Sequence, residues 1–304
     1  MNAAVTTDVS RAVAALRNGG VVAVPTETVY GLAALALDES AVDRVYAAKG
    51  RPHDHPLIVH LAPSADPARW GLLDDNALAL AAAFWPGPLT LLVPRTEIVP
   101  DWVTGGRDTV ALRVPSHPIT ARVLEDLGDA IVAPSANRFG HVSPTTAAHV
   151  ADDLGDTIDL IVDGGPCSIG VESTIVECSA DGLQILRPGA ITVDDVERVT
   201  GSPVGSLTGG ARAPGMLASH YAPRARVEIV DRLDTARARA AEVRARGGEA
   251  RVVWHGDPAE YARCLYSDLR GADDAGADVV FAVAPGSQGL GPAVRDRLER
   301  AATR

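Results

Sequence analysis

Short apolar runs rich in valine and isoleucine recur through the first two hundred residues, and this pattern most limits what the chain can fold into. Each run has the length and β-branched content of a buried strand. Strands are predicted at residues 21–24, 57–61, 89–93, 110–114, 130–133, 160–162, 173–176 and 183–186. Helical periodicity lies between several of them, at residues 9–16, 40–48, 76–84, 119–127, 145–154 and 193–199. The pattern predicts an α/β domain with a mixed sheet and flanking helices.

The composition changes at residues 201–214, GSPVGSLTGGARAP, to small and polar residues with proline, which is typical of a linker. Strands at 227–230, 250–254 and 279–283 then alternate with helices at 235–246, 258–269 and 292–302. This repetition predicts a small parallel sheet flanked by helices. We assign residues 1–205 to a first domain, 206–224 to a linker and 225–304 to a second domain.

The charge of the chain argues against broad capture of nucleic acid. Residues 1–205 carry 13 basic and 26 acidic side chains, so most of this surface would repel a polyanion. The three cysteines match neither a disulfide framework nor a zinc site and are interpreted as buried thiols. The first residues lack the pattern of a secretory signal, and no apolar run is long enough for a membrane span. A cytoplasmic protein that does not bind membranes is therefore expected.

Lysine is almost absent, because 27 of the 28 basic residues are arginine and the single lysine is Lys49. Lys49 opens the stretch KGRPHDHP, which places it two residues before Arg51 in a loop stiffened by two prolines. An ammonium is a compact point charge and a guanidinium is a planar fork, so the two together suit a polyphosphate. The alternative is an ordinary pair of solvated surface charges.

Two further stretches place polar side chains directly after predicted strands, where α/β sheets hold ligands. They are PTETVYGL at 25–32 and APSANRFGHVSPT at 133–145. The second combines hydroxyls and an amide with the start of a helix, a combination that could cradle phosphate or carboxylate. The first could instead be a capped turn before a helix. Ser135 is not interpreted as a nucleophile, because no GxSxG elbow surrounds it.

The order of these stretches resembles the YrdC-like family of threonylcarbamoyl-AMP synthases. The matching segments cover roughly residues 8–205 and are PTETVYGL, KGRPHDHPLIVHL, PGPLTLLV, TVALRVP, APSANRFGHVSPT, GVESTIV and LRPG. Residues 213–216, residues 219–223 and the α/β tail resemble the linker and second domain of the longer, two-domain form. The resemblance implies a twisted mixed sheet with a concave site, followed by a small Rossmann-like α/β domain.

The resemblance also implies which residues form the site. The KxR and SxN elements of the family form a characteristic catalytic tetrad, which here is Lys49, Arg51, Ser135 and Asn137. The residues expected around threonine are Thr28, His60, Arg113, Ser135 and Ser173. Those expected around ATP are Lys49, Arg51, His55, Thr109, Asn137, Ser143, Thr145, Arg187 and Tyr221. Arg113 would be the fork for the threonine carboxylate, and Tyr221 would close over the nucleotide as a lid. His55 stands where the family commonly has asparagine.

An enzyme of this family would make threonylcarbamoyl-AMP from L-threonine, bicarbonate and ATP, with release of pyrophosphate. Mg²⁺ would enter with ATP and be held mostly by its phosphates, and no dedicated metal site is expected. The product would pass to a tRNA threonylcarbamoyl transferase complex, and direct tRNA binding would be weak or absent.

Two other functions are considered. A concave sheet with cationic side chains could be an RNA-binding module, but the acidic balance and the lack of interleaved aromatic residues argue against it. Carbamoyl-adenylate chemistry could also serve another acceptor. The zinc-finger and acylphosphatase segments of such enzymes are missing from this sequence.

Overall fold

The computed structural model describes residues 3–205, 213 and 221–303, and its largest element is one long mixed sheet. The strands of this sheet are β1 (Ala4–Thr6), β2 (Val22–Val24), β3 (Gly31–Leu35), β4 (Ile58–His60), β5 (Leu89–Pro94), β6 (Thr109–Arg113), β7 (Ile131–Val132), β8 (Leu160–Val162), β9 (Thr174–Ser179), β10 (Gly182–Arg187) and β11 (Val204–Gly205). Their order across the sheet, for the described residues, is β1-β8-β2-β3-β7-β4-β6-β5-β9-β10-β11. Strand β4 runs parallel to β6 and antiparallel to β7, so the predicted mixed sheet is confirmed.

Helices alternate with these strands along the chain. They are α1 (Val9–Arg17), α2 (Glu39–Lys49), α3 (Asp75–Phe84), α4 (Asp101–Thr104), α5 (Pro118–Leu127), α6 (Ala147–Leu154) and α7 (Val193–Thr200), and a 3-10 turn spans Pro67–Arg69. Polar side chains begin several of them: Asp38 accepts from the amide of Ala41 at the start of α2, and Thr192 and Asp195 form a capping box at α7.

The strand β3 is a correction to the sequence analysis, since the residues after PTETVY were open to interpretation as a helix. The side chain of Thr26 does cap the turn, accepting from the amides of Thr28 and Val29, but a strand follows it. The sequence of β3 is GLAAL, which has no β-branched residue to mark it. Its pairing with β2 on one side and β7 on the other makes it a strand, because tertiary context outweighs weak local propensity.

The two faces of the sheet are used differently. One face packs against α2, α3 and α6 in a large core that includes Val59, Leu91, Leu112 and Val132. On the opposite face, α1 and α5 pack over β8, β2, β3 and β7. Side chains alternate between faces along a strand, so the remaining strands present a different set of residues on this second face. We call that part the site face, and define it by Ile58, Leu92, Ala111, Ile175 and Leu186.

The second sheet is small and entirely parallel. Its strands are β12 (Arg226–Val230), β13 (Ala250–Val253) and β14 (Val279–Val283), in the order β12-β14-β13. The helices that accompany them are α8 (Leu233–Ala245), α9 (Pro258–Asp274) and α10 (Gly291–Ala302). The predicted alternation of strands and helices around a parallel sheet is confirmed.

The described residues form two compact units. The first draws on residues within 1–139, 144–167 and 172–216, and the second on residues within 140–143, 168–171 and 217–304. Of the predicted linker, 206–224, only residues 213 and 221–224 lie within the described residues. No helix in the described part of the chain is both long enough and apolar enough to cross a membrane.

We expect Leu112→Ala to lower the free energy of unfolding by about 2–5 kcal/mol, because Leu112 is fully buried in the main core and its removal leaves a cavity. The matched control is Leu78→Ala on α3, where the leucine is 51% exposed and the loss should stay within about 0.5 kcal/mol. Urea unfolding of the three proteins measures both values. Equal losses for the two variants would contradict the assignment of this core.

Candidate active site

The single lysine ties the end of a helix to the loop after β7. Lys49 is the last residue of α2 and only 3% of it is exposed. Its Nζ donates to the carbonyl of Ser135 and, at 2.7 Å, to the carbonyl of Asn137. In return the amide of Phe139 donates to the Lys49 carbonyl at 2.8 Å. The ammonium therefore fixes the conformation of the SxN element.

Burial and a nearby positive charge both disfavour the charged form of Lys49. Burial, and secondly the nearby Arg51 charge, lower the pKa of Lys49 well below its usual value. The two carbonyls occupy two of its three N–H donors, and no described residue takes the third. A donor is thus left for an oxygen atom of a ligand.

Arg51 and two aromatic rings form a cluster beside Lys49. Arg51 is 8% exposed, and its Nη2 donates to the carbonyl of Pro56 at 2.9 Å. Its guanidinium carbon lies 5.6 Å from the centre of the Phe139 ring, and His55 meets the same ring edge-on at 5.2 Å. Burial, then Arg51, lower the pKa of His55. The structure therefore brings three predicted nucleotide contacts together, and it adds Phe139, which the sequence analysis did not assign.

The stretches PTETVYGL and APSANRFGHVSPT, predicted separately, pack as one unit. Gly31 and Ser135 form a β-bridge, and the amide of Ala136 donates to the carbonyl of Tyr30 at 2.8 Å. Thr28 is fully buried, with its hydroxyl 2.8 Å from that of Thr26. The Ser135 hydroxyl is half-buried and has no hydrogen-bond partner among the described residues. A ligand can therefore bond to it.

His60, at the end of β4, is a buried hydrogen-bond acceptor. Its Nδ1 lies 3.1 Å from the carbonyl of Ile58. A carbonyl can only accept, so Nδ1 carries the proton of the neutral ring and Nε2 is left with a lone pair. Burial, then Arg113, lower the pKa of His60 to about 3. The ring is therefore neutral at pH 7.

Arg113, the last residue of β6, pairs with His60 in the strand register and forms a buried ion pair. Its Nη2 donates to Oε1 of Glu27 at 2.7 Å, and the two side chains are only 5% and 8% exposed. Its Nε donates to the carbonyl of Gly87 at 3.3 Å, and the amide of Ser116 donates to Oε2 of Glu27 at 3.2 Å. Glu27 was not among the predicted site residues. A carboxylate between two threonines, directly after a buried strand, is the signal that could have found it.

Ser173 comes directly before β9, and Arg187 is the last residue of β10. Arg187 donates through Nη2 to the Ser173 hydroxyl and through Nε to its carbonyl, both at 3.0 Å. The Ser173 hydroxyl is also 2.7 Å from that of Thr90. The pairing of Leu91 with Leu112 between β5 and β6 places Thr90 opposite Arg113. Ser173, Arg187 and the unpredicted Thr90 thus join the group around Arg113.

Three further predicted nucleotide contacts, Thr109, Thr145 and Ser143, lie on other segments of the chain. Thr109 begins β6, two positions before Ala111 on the site face. Thr145 is buried, and its amide donates to Nδ1 of His149 at 3.3 Å. Ser143 is buried and belongs to the second compact unit.

Tyr221 also belongs to the second compact unit. Its ring is 1% exposed and lies 5.7 Å from the ring of Tyr266 and 5.4 Å from the guanidinium of Arg297. Its predicted action as a lid over the nucleotide stays a prediction.

The site face supplies an apolar floor between these polar groups. Its five defining residues are all buried, and Ala213 of the predicted linker packs against them with 6% exposure. The arrangement offers two buried cations at Lys49 and Arg51 and two more at Arg113 and Arg187, with neutral His60 as an acceptor beside Arg113. It can hold an extended anion and a small zwitterion on one sheet.

Metal ligands were also considered. Within the described residues, no group of three or more His, Cys, Asp or Glu side chains is placed to hold a metal ion. The expectation that Mg²⁺ arrives bound to ATP stays a prediction.

Two protein-family models match the chain. The Sua5/YciO/YrdC model, described as "Telomere recombination", matches residues 14–189. The chain belongs to this family. A second model, described as "Threonylcarbamoyl-AMP synthase, C-terminal domain", matches residues 191–303. The predicted family and its two-domain form are confirmed.

Individual proteins agree with the family models. The threonylcarbamoyl-AMP synthase of Pyrococcus abyssi (strain GE5 / Orsay) is 42% identical over 310 residues, covering 94% of this chain and 91% of that protein. The threonylcarbamoyl-AMP synthase of Bacillus subtilis (strain 168) is 39% identical over 321 residues, covering 97% and 92%. The crystal structure of P. abyssi Sua5 complexed with L-threonine matches with a TM-score of 0.90 at 40% identity, covering 97% of this chain and 94% of that one. The predicted fold is confirmed by this match.

The low pKa of His60 predicts a change in stability with pH. Between about pH 3 and 6.5 an unfolded histidine binds a proton that folded His60 excludes, so the free energy of unfolding rises with pH across this window and levels off above it. We expect His60→Gln to reduce this rise in the free energy of unfolding, summed across the window, by on the order of a few kcal/mol.

Urea unfolding at several pH values in this window measures the slope. The control is His53→Gln, which changes a side chain that is 63% exposed. A slope that is the same in His60→Gln and the unmodified chain would show that His60 is not buried in its neutral form.

Proposed function

We propose that this chain is an L-threonylcarbamoyladenylate synthase, which converts L-threonine, bicarbonate and ATP into threonylcarbamoyl-AMP, pyrophosphate and water. The observation that carries the proposal is the loop 25–31, which joins two groups of site residues. Through the bridge from Gly31 to Ser135 it reaches the Lys49 cluster, and through Glu27 it reaches Arg113. The proposed cations for a nucleotide and the proposed fork for an amino acid are thus linked through one short segment.

Threonine is assigned to the Arg113 end of the site. The guanidinium would bind its carboxylate, and Nε2 of neutral His60 would accept a hydrogen bond from its hydroxyl or amine. The hydroxyls of Thr28, Ser135 and Ser173 complete the proposed set. Support comes from the crystal structure of the P. abyssi relative in complex with L-threonine.

ATP is assigned to the Lys49 end. Lys49 and Arg51 would neutralise phosphate oxygens, one as a point charge and the other as a planar fork. The other proposed nucleotide contacts are His55, Thr109, Asn137, Ser143, Thr145, Arg187 and Tyr221. Mg²⁺ is part of the substrate as MgATP, with the phosphates as its ligands.

The reaction needs no covalent nucleophile on the chain. The threonine amine condenses with bicarbonate to form a carbamate and water, and a carbamate oxygen then attacks the α-phosphorus of ATP and displaces pyrophosphate. The chain must hold the reactants close, neutralise phosphate charge and keep water from the labile carbamate. Lys49 and Arg51 meet the second need. The packing of Ala213 on the site face supports the linker as the cover that meets the third.

The biological setting follows from the product. Threonylcarbamoyl-AMP is an activated mixed anhydride, so an enzyme that transfers the threonylcarbamoyl group to tRNA must consume it. We place this reaction in the cytoplasm, with the tRNA bound by the transferase complex and not by this chain. The excess of acidic side chains in residues 1–205 would repel tRNA, which supports the proposal that direct tRNA binding is weak or absent.

We expect Lys49→Met to reduce pyrophosphate release at least about 100-fold, because methionine fills the space of the lysine stem but removes a preorganised charge and the ties to Ser135 and Asn137. Pyrophosphate release is measured with and without bicarbonate, and with threonine, serine or no amino acid. The control is Arg11→Ala, which removes an exposed cation on α1 and should leave the rate unchanged.

Three results would contradict the proposal. An unimpaired Lys49→Met variant would remove Lys49 from the mechanism. Release that does not need threonine would favour carbamoyl-adenylate chemistry on another acceptor. No release in any mixture would favour the RNA-binding module.

A further inference from the structure

The described residues hold the guanidinium of Arg113 along one edge only. Its Nε donates to the carbonyl of Gly87 and its Nη2 to Oε1 of Glu27, and these two nitrogens form the same side of the planar group. No other described residue bonds to Arg113. The end of the group, made by Nη1 and the second hydrogen of Nη2, has the geometry to donate to both oxygens of a carboxylate.

Glu27 is itself held firmly. The amide of Ser116 donates to its Oε2 at 3.2 Å while Arg113 occupies Oε1 at 2.7 Å. Glu27 is 6% exposed and Arg113 is 4% exposed, so water screens their charges only weakly. The pair is a fixed, buried dipole with no net charge.

Two histidines and a cysteine near this pair add no charge to it. Burial lowers the pKa of His60 to about 3 and also lowers the pKa of His117, and both groups respond to the charges of Arg113 or Glu27. Burial raises the pKa of the nearby Cys167 thiol to about 12. All three are neutral at pH 7. They therefore add no charge to the pair, and the charges of Glu27 and Arg113 balance each other.

We infer that Glu27 determines the specificity of the amino-acid pocket, making it accept a zwitterion and reject a simple carboxylate. The inference rests on the proposed function, which places the threonine carboxylate at Arg113. A zwitterion adds no net charge beside the balanced pair of Glu27 and Arg113. A carboxylate without an ammonium brings one uncompensated negative charge, which is costly to bury.

The test compares two ligands that differ in the ammonium group alone. They are L-threonine and 3-hydroxybutanoate, which is threonine with hydrogen in place of the amino group. Dissociation constants are measured by calorimetry without ATP, so binding is separated from the later chemistry. The readout is the dissociation constant of 3-hydroxybutanoate divided by that of threonine.

We expect Glu27→Gln to lower this ratio at least about tenfold, because glutamine keeps the shape of glutamate but leaves the Arg113 charge uncompensated. The simple carboxylate then balances the charge of Arg113, while the zwitterion leaves that charge uncompensated. Glu27→Asp keeps the charge and should keep the ratio close to that of the unmodified chain. The control is Asp126→Asn, which alters a surface ion pair with Arg122 and should change neither constant.

Two outcomes overturn the inference. One is an unchanged ratio in Glu27→Gln while threonine still binds. The other is an equal loss of affinity for both ligands, which would show that Glu27 only holds the pocket together. Failure of the unmodified chain to bind threonine is a separate result that overturns the proposed function, and this inference with it.

Discussion

The buried ammonium of Lys49 is the interaction on which the rest of the site depends. A charge with 3% exposure is costly unless it is well bonded, and here two backbone carbonyls of the SxN element take two of its donors. That bonding decides the path of the chain from Ser135 to Phe139. The path in turn sets the Phe139 ring between Arg51 and His55. Lys49 is therefore a structural tie, and we propose that it is also a cation for a phosphate.

The Arg113 end of the site has a different electrostatic character from the Lys49 end. Burial, and then the nearby charge of Arg51, lower the pKa of Lys49, and two cations this close together favour an anionic ligand. Around Arg113 the charge is balanced by Glu27, and His60 is kept neutral by burial. One loop, residues 25–31, contacts both ends. The two ends of the site therefore differ in charge balance: the Lys49 end suits a polyanion and the Arg113 end suits a zwitterion.

Much of the fold could be predicted from the sequence because its strands are rich in β-branched residues and bounded by turns. The strand β3 could not, since alanine and leucine carry no such signal and its partners β2 and β7 make it a strand. Lys49 and Arg51 could be predicted as a pair because they are neighbours in sequence and because the chain otherwise avoids lysine. Their partners could not be predicted from spacing.

The site residues that the sequence analysis did not assign have partners far away along the chain. Lys49 and Ser135 are 86 residues apart, and so are Glu27 and Arg113. The sequence gives no direct sign of which distant group a buried charge will meet, so Glu27 and Thr90 were missed as companions of Arg113 and Ser173. The resemblance to the family supplied Arg113 itself, and the strand register then showed that His60 lies beside it.

The central claim is that one chain binds MgATP and threonine together and joins them through a carboxyl group taken from bicarbonate. Mass spectrometry of the products made from ¹³C-labelled bicarbonate tests this claim most directly. The account predicts a threonylcarbamoyl-AMP that carries the label and forms only when threonine and ATP are both present. Release of pyrophosphate without a labelled adenylate, or a labelled product that contains no threonine, would contradict it.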